Sequence, residues 1–338
     1  MAVFLPGGAL LPPQQQTLRG EVVFSGIGLH TGRFSRVTVC PAPADHGRVF
    51  VKSGVRIPAE ADYVGDTTRC STLTHQGEVI HTVEHLLAAL YALGVDNAEI
   101  RIEGTEAPAL DGSARPFADG LLEVGIEPQG VPPHNLFFSE LVWVRDGDRH
   151  VIAIPGEGLT VGACVDFGRP YAGPQNFCYS LEGPHRSLEA MQLGGRAWGP
   201  CAGLLPQLRQ PAAEGGTPLS VFLDELAPAR TFCFEDWIAA IRAAGLGSGG
   251  SLDNTLVLGE RGPSTPLRFP DELARHKTLD LLGDMALVGA RLQASVIGIK
   301  AGHALHVAAA HQIRKLVHDP QHPGDRPSPA ASLSRSAR

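Results

Sequence analysis

Residues 82–102 of the 338-residue chain read TVEHLLAALYALGVDNAEIRI, and this stretch determines much of the predicted fold. Its apolar positions, from Val83 to Tyr91, recur at helical spacing, and Gly94 stands where a glycine commonly ends a helix. Thr82 is the candidate N-cap of this helix. Residues 98–102 alternate between apolar and polar side chains, which predicts a strand directly after the helix.

A weaker copy of this helix and strand occurs in the second half of the chain. Residues 235–245 reach Gly245 with the spacing by which residues 84–94 reach Gly94, and an Asp-Asn pair then leads into an alternating segment, residues 255–258. Short Ala and Leu patterns also recur by chance. We nevertheless interpret the similarity as two copies of one unit, which predicts two similar domains.

Glycine and proline cluster between the two copies, at residues 129–133, as is typical of a domain boundary. We therefore expect domain one at residues 17–130 and domain two at residues 134–317. Three further segments are expected to be irregular, namely a flexible start (1–16), an insertion in domain two (about 182–218) and a disordered tail (319–338).

The composition is that of a folded globular protein, with 43% hydrophobic and 19% charged residues. A formal net charge of -7 argues against nucleic acid as a partner. No window approaches the roughly 20 consecutive apolar residues that span a bilayer, and the start lacks the features of a secretion signal. We therefore expect a cytoplasmic protein that is not an integral membrane protein.

Histidine is abundant, with 14 in the chain, whereas the six cysteines are scattered and form no Cys-x-x-Cys pair. The most specific histidine pattern is His276, Asp280 and Asp284, which lie on one stripe of a helix predicted over residues 271–292. Two interpretations remain open from this spacing. The stripe is either an exposed helical ion pair or a pair of metal ligands, His276 and Asp280.

Glu84 and His85 begin the first predicted helix. A helix N-terminus disfavours a protonated imidazole, so His85 keeps a lone pair available for a metal ion. A single histidine at a helix start is more often structural. Together with His276 and Asp280, however, it completes a three-ligand set with an open position, as in catalytic zinc sites, and makes Glu84 a candidate general base.

His303 follows Gly302 directly after a predicted strand, and a histidine at such a hinge can point into a cleft. A carboxylate partner, for which Asp284 is the candidate, keeps a histidine protonated as a general acid. The alternative is a histidine that caps or fills a turn. Three nearby histidines are expected at the surface, namely His306, His311 and His318.

Six short motifs follow one another along the chain, namely Gly26 to Gly32, Thr82 to Leu86, Asp111 to Ser113, Ala229 to Phe232, His276 to Asp284 and Gly302 to Leu305. In this combination the chain, from about Thr17 to Leu316, resembles the zinc-dependent UDP-3-O-acyl-N-acetylglucosamine deacetylases of lipid A biosynthesis. The resemblance implies an α+β fold of two similar domains, each a β-sheet layered with helices, with the helices sandwiched between the two sheets.

The resemblance also implies an activity, which is hydrolysis of the N-acetyl group of UDP-3-O-acyl-N-acetylglucosamine with release of acetate, the committed step of lipid A biosynthesis. It implies Zn²⁺ as cofactor and this nucleotide sugar as the partner. We further expect a monomer. The implied roles are Zn²⁺ ligation by His85, His276 and Asp280, general base catalysis by Glu84, general acid catalysis by His303 oriented by Asp284, oxyanion stabilisation by Thr231, and substrate contacts by Lys277, Thr231 and Phe232.

Some features depart from the family pattern. The insertion at about 182–218 precedes a substrate-contacting region, Cys233 stands where glycine is common, and Arg69 replaces what is often an apolar residue. Two alternative functions are a zinc amidohydrolase acting on another acylated amino sugar and a non-catalytic binding module. The second is disfavoured because a binding module needs neither Glu84 nor His303. Iron(II) could occupy the same ligands as zinc.

Overall fold

The computed structural model describes residues 12–169, 171–181 and 217–318. In its first half the strands are β1 (Gln16–Leu18), β2 (Val22–Ile27), β3 (Phe34–Pro41), β4 (Arg48–Lys52), β5 (Val55–Pro58), β6 (Val64–Asp66), β7 (Thr72–His75), β8 (Glu78–Ile80), β9 (Ala98–Glu103) and β10 (Ile126–Pro128). The helices of this half are α1 (Glu84–Ala92) and α2 (Arg115–Val124).

In the second half the strands are β11 (Asn135–Leu136), β12 (Val142–Asp146), β13 (Arg149–Pro155), β14 (Leu159–Val165), β15 (Gln175–Ser180), β16 (Phe232–Phe234), β17 (Leu256–Gly259), β18 (Gly262–Pro263), β19 (Arg291–Leu292) and β20 (Ala294–Ile299). The helices are α3 (Pro218–Val221), α4 (Ile238–Ala243), α5 (Glu272–Met285) and α6 (His303–His318).

Each half contains a five-stranded sheet, and the two sheets have the same topology. The strand order is β2-β3-β9-β4-β5 in the first and β12-β13-β20-β14-β15 in the second. In both sheets the third and fourth strands pair in parallel, while the other neighbours are antiparallel. The prediction of an α+β fold with two similar domains is therefore confirmed.

Helices α1, α2, α5 and α6 pack between the two sheets. Helix α1 packs against α5, while α5 lies on β14 and β15 and α6 lies on β12 and β13. All nine residues of α1 are buried, which explains why its sequence is apolar on nearly every face. The two halves consequently share one hydrophobic core, which extends from Leu18 to Ile313.

The repeat was predicted from a sequence similarity between α1 and α4, but these two helices are not structural counterparts. The counterpart of α1 is α5, because each precedes the central strand of its sheet, β9 or β20. Helix α4, which carries the similar sequence, has no buried residue and precedes β17 in a separate three-stranded sheet, β16-β17-β18. Its Ala and Ile pattern reflects helix formation and not equivalent packing.

Two predicted helix ends also need correction. Helix α1 begins at Glu84, and Thr82 does not cap it, because Thr82 has a φ of 57° and its hydroxyl donates to Glu106 Oε1 at 2.9 Å. The predicted end of α1 at Gly94 is confirmed, since the N–H of Gly94 donates to the carbonyl of Tyr91 at 3.0 Å.

Helix α5 ends at Met285 and not near residue 292. A 3-10 turn follows it and stops at Gly289, whose φ is 87°.

The contacts of the fold begin before Thr17, at residues that were expected to be part of a flexible start. Gln15 is buried, and its side-chain amide donates to Asp45 Oδ1 at 2.6 Å. Gln16 pairs with Pro128 in the β1–β10 ladder. Residues 1–11, most of the predicted insertion (182–216) and the predicted tail (319–338) lie outside the described residues. Within the part of the chain that is described, no helix has the length and apolarity needed to cross a membrane.

Candidate active site

The predicted site residues come together where α1 and α5 cross and α6 begins. Glu84 is the first residue of α1, and His303 is the first residue of α6. The crossing is close, because a Cβ atom placed on Gly283 of α5 would lie 2.1 Å from the backbone oxygen of Glu84. Glycine at this position therefore lets the two helices bring their polar side chains within reach of each other.

A cavity of about 940 Å³ opens at this crossing. Eight of the nine predicted site residues line it, namely Glu84, His85, Thr231, Phe232, His276, Lys277, Asp280 and His303. The ninth, Asp284, is fully buried behind His303. Motifs that are far apart in the sequence thus contribute to a single concave site.

Three side chains form a compact cluster suited to a metal ion. Nε2 of His85 and Nε2 of His276 lie 3.6 Å and 3.3 Å from Asp280 Oδ1, and all three side chains are buried. Their potential ligand atoms lie within 4.8 Å of one another. The exposed ion pair that remained an alternative from the sequence is therefore wrong for His276 and Asp280.

The donor set fits a divalent metal ion. Asp280 Oδ1 is buried and has no hydrogen-bond partner among the described residues, which is costly for a carboxylate oxygen unless a cation satisfies it. His276 donates from Nδ1 to the carbonyl of Ala229 at 3.1 Å, which leaves Nε2 free as a ligand atom. Burial lowers the pKa of His276 to about 3, so its imidazole is neutral near pH 7.

Glu84 and His303 face each other beside this cluster. Glu84 Oε1 lies 3.9 Å from His303 Nε2, and its Oε2 accepts a hydrogen bond from the backbone N–H of Ser71 at 3.1 Å. His303 donates from Nδ1 to Asp284 Oδ2 at 2.8 Å. The Glu84 carboxylate and the His303 imidazole therefore point into the cavity next to the candidate metal ligands. Each is fixed by a hydrogen bond on the side away from the cavity.

Burial and neighbouring charges shift the pKa values of Glu84, His303 and Asp284 in different directions. Burial raises the pKa of Glu84 above its ordinary value. Burial also disfavours the charged form of His303, but the carboxylate of Asp284 outweighs it and raises the pKa of His303 to about 9. The two histidines bonded to Asp284 overcome its own burial and lower its pKa to about 2. His303 is consequently protonated near pH 7, as a general acid requires.

The predicted substrate-contacting residues lie around the same cluster. The Lys277 ammonium donates to Asp280 Oδ2 at 2.7 Å and lies 5.7 Å from the centre of the Phe232 ring. Thr231 donates its backbone N–H to the carbonyl of Gly112 at 2.7 Å. It thus lies next to β16 on the wall of the cavity.

Several residues near the site were missed or misjudged from the sequence. His306, expected at the surface, is 2% exposed and donates from Nδ1 to Asp284 Oδ2 at 2.8 Å. Its position one turn after His303 on α6 was the available signal. Ser71 contacts both Glu84 and Asp284 but belongs to no recognised motif. His30 lines the cavity, and neither of its ring nitrogens has a hydrogen-bond partner among the described residues.

Comparison with known proteins identifies the family. A family profile described as UDP-3-O-acyl N-acetylglycosamine deacetylase matches residues 15–188 and 208–315, a range that contains all six motifs. The chain belongs to this deacetylase family. A relative from Thermosynechococcus vestitus, named UDP-3-O-acyl-N-acetylglucosamine deacetylase, is 38% identical over 90% of this chain and 95% of its own length.

Two further relatives of the same name have similar sequence identities and coverages. The protein from Anaeromyxobacter dehalogenans is 37% identical over 90% of this chain and 88% of its own length. The protein from Xanthomonas axonopodis pv. citri is 35% identical over 87% of this chain and 88% of its own length. The likeness therefore extends over nearly the whole length of each protein.

Within this deacetylase-family chain, the two departures at single residues lie at the cavity. Cys233 in β16 and Arg69 both line it. Arg69 has a φ of 65°, and its guanidinium lies 5.0 Å from the centre of the Trp237 ring. Neither residue takes the place of a candidate metal ligand or of Glu84 and His303.

Proposed function

We propose that the protein hydrolyses the N-acetyl group of UDP-3-O-acyl-N-acetylglucosamine, with acetate and a free sugar amine as products. The observation that carries this proposal is the pairing of Glu84 with His303 beside the His85, His276 and Asp280 cluster. Amide hydrolysis needs a base for the attacking water and an acid for the leaving nitrogen, and this pair can provide both. Membership of the deacetylase family supports the choice of an acetylated amino sugar.

The proposed cofactor is Zn²⁺, held by His85, His276 and Asp280. Two imidazoles and one carboxylate that leave a coordination position open are a typical ligand set of catalytic zinc. When bound there, the ion supplies Lewis acidity that lowers the pKa of water and polarises a carbonyl group. The neutral His276 ring and the low pKa of Asp280 keep two of the three ligands ready for a cation.

The chain's own residues carry the proton transfers in this mechanism. Glu84 accepts a proton from the water molecule that attacks the acetyl carbon. His303 then donates the proton on Nε2 to the amide nitrogen as the carbon–nitrogen bond breaks. Asp284 stabilises the charged His303 ring through Nδ1, which leaves Nε2 directed at the reacting atoms. Thr231, on the cavity wall, is proposed to stabilise the oxyanion.

The lining of the cavity suits a ligand with an anionic and an apolar part. Several large apolar side chains line it, namely Leu29, Trp237, Ile238, Ile241, Leu252 and Val257. These are suited to the acyl chain. Lys277 is the proposed contact of the diphosphate, and Phe232 lies beside it as a further substrate contact.

Acetate release from UDP-3-O-acyl-N-acetylglucosamine by the purified protein tests the proposal. We expect activity that a chelator abolishes and that added Zn²⁺ restores. We also expect that Glu84→Ala and His303→Ala each lower kcat by about 10²- to 10⁴-fold, as for the loss of a general acid or base. Metal-loaded protein that binds this substrate but releases no acetate would contradict the proposal. Restoration by Fe²⁺ but not by Zn²⁺ would contradict the choice of metal.

We further propose that the enzyme is a cytoplasmic monomer. All nine proposed site residues come from one chain, so the site needs no second copy. Among the described residues, Cys40, Cys70, Cys178 and Cys233 form no disulfide, which suits a reducing compartment. Light scattering coupled to size-exclusion chromatography would test the oligomeric state, and a mass of twice the chain or more would contradict it.

A further inference from the structure

The carboxylate of Asp284 is held by three donors, although one of them would suffice to orient His303. The Ser71 hydroxyl donates to Oδ1 at 2.5 Å. The rings of His303 and His306 both donate from Nδ1 to Oδ2 at 2.8 Å. Asp284 and Ser71 are 0% exposed and His306 is 2% exposed, so water does not replace these bonds. The plane of this carboxylate is therefore fixed on both oxygens.

The fixed carboxylate determines the direction of the His303 ring. An ionised carboxylate only accepts hydrogen bonds, so both histidine rings present their Nδ1–H to it. His303 is then left with Nε2 facing Glu84 and Asp280 at 3.9 Å and 3.7 Å. The His306 ring packs against β20, where a Cβ atom on Gly298 would lie in ordinary van der Waals contact with His306 Nε2, at 3.6 Å.

Ser71 makes a second contact that connects the two proposed catalytic groups. Its backbone N–H donates to Glu84 Oε2 at 3.1 Å, while its hydroxyl donates to Asp284 Oδ1. Its carbonyl accepts from the backbone N–H of Val83, the residue before Glu84. A single buried residue between Cys70 and β7 thus contacts the base directly and the acid through Asp284.

We propose that Ser71 and His306 are positioning residues, which together hold Glu84 and His303 in one relative arrangement. This inference rests on the proposed function of that pair. Neither residue lines the cavity, so neither contacts the substrate. Their effect is expected in the chemical step, since a displacement of about 1 Å in a catalytic group can cost about 10²-fold in rate.

The test uses two pairs of variants in the metal-loaded enzyme. Ser71→Ala and His306→Leu remove the donor, whereas Ser71→Thr and His306→Asn keep a donor at a similar place. We expect the first pair to lower kcat by about 10- to 100-fold with KM unchanged, and the second pair to recover most of it. His311→Leu is the matched control, because this histidine lies on the same helix and pairs with Asp62 at the surface. Metal content and melting temperature are measured for every variant.

A second readout does not depend on turnover. In protein with ¹⁵N-labelled histidine, the Nδ1–H resonance of His303 is assigned by its loss in His303→Ala. We expect this resonance to shift in Ser71→Ala and His306→Leu and to stay in place in His311→Leu. Wild-type kcat together with an unmoved resonance in both donor-lacking variants would overturn the inference. If wild-type protein releases no acetate, the proposed function fails, and the resonance alone then decides whether Ser71 and His306 hold His303.

Discussion

At the scale of single residues, three buried carboxylates lie close together and differ in what surrounds them. Asp280 faces two imidazole nitrogens through an oxygen without a hydrogen-bond partner in the described chain, which suits a metal ligand. Asp284 accepts three hydrogen bonds and suits the support of a charged histidine. Glu84 accepts one backbone hydrogen bond and keeps its other oxygen towards the cavity, which suits a base.

These differences predict that metal binding and turnover can be separated by substitution. His85→Ala should lower the bound metal well below one equivalent, because it removes one of three ligands. Glu84→Gln should keep the metal and lower kcat by about 10²- to 10⁴-fold, since an amide cannot accept the proton. Metal analysis and acetate release on the same samples check both. Equal metal loss in the two variants would contradict the division of roles.

The candidate metal ligands could be predicted from the sequence, but Ser71 and His306, which contact Asp284, could not. His276 and Asp280 could be predicted as neighbours because helical spacing puts them on one stripe, and the family resemblance brought in His85. Ser71 could not be found, because its role depends on contacts 13 and 213 residues away in the chain. His306 was misjudged because helical spacing shows only that it shares a face with His303, and not that this face is buried.

At the scale of elements, the crossing of α1 and α5 sets the geometry of the site. We predict that Gly283→Ala destabilises the protein by about 1–3 kcal/mol, because the new methyl group overlaps the backbone of Glu84. It should also lower kcat, since α1 carries both Glu84 and His85. Denaturant unfolding and acetate release measure the two effects. Gly173→Ala is the control, because a Cβ atom at Gly173 has no neighbour within 4 Å. Equal stability of the two variants would contradict this prediction.

A second element-scale prediction concerns the start of α5 and its dependence on pH. Glu272 is buried and accepts from Arg230 at 2.8 Å, which ties the segment before Thr231 to the helix. Burial opposes the charge of Glu272, but its bonds to Arg230 outweigh this and lower its pKa below the ordinary 4.5. A lowered pKa stabilises the fold fully above that ordinary value, and the stabilisation is lost as the pH falls through the lowered pKa.

Glu272→Gln should therefore lower the free energy of unfolding by about 3 kcal/mol near pH 7, because it leaves Arg230 buried without its charge partner. The difference from wild type should shrink as the pH falls below about 4.5. Urea unfolding of both proteins across this range, side by side, provides the measurement. A difference that is constant with pH would show that packing, and not charge, is responsible.

At the scale of the whole molecule, the repeated sheet is a topological feature with little trace in the sequence. The boundary expected near residues 129–133 stays a prediction, which rests on the glycine and proline that cluster there. The equivalence of α1 and α5 could not be predicted, because α1 is apolar after Glu84 and His85, whereas α5 carries polar residues along its length. The two domains thus share one strand topology, while the residues at their shared interface differ between the two copies.

That interface contains an ion pair between a buried arginine and a partly buried aspartate, which should contribute strongly to stability. Arg291 of β19 donates to both carboxylate oxygens of Asp96, which precedes β9, at 2.8 Å and 2.6 Å. We predict that Asp96→Ala costs about 3–5 kcal/mol in unfolding free energy, because it leaves a buried guanidinium unpaired. The double variant with Arg291→Leu should cost less than the sum of the two single variants. Asp119→Ala, which breaks an exposed pair with Arg115, is the control and should cost about 0.5 kcal/mol. If Asp96→Ala costs no more than this control, the ion pair does not contribute to the stability of the domain interface and the prediction is wrong.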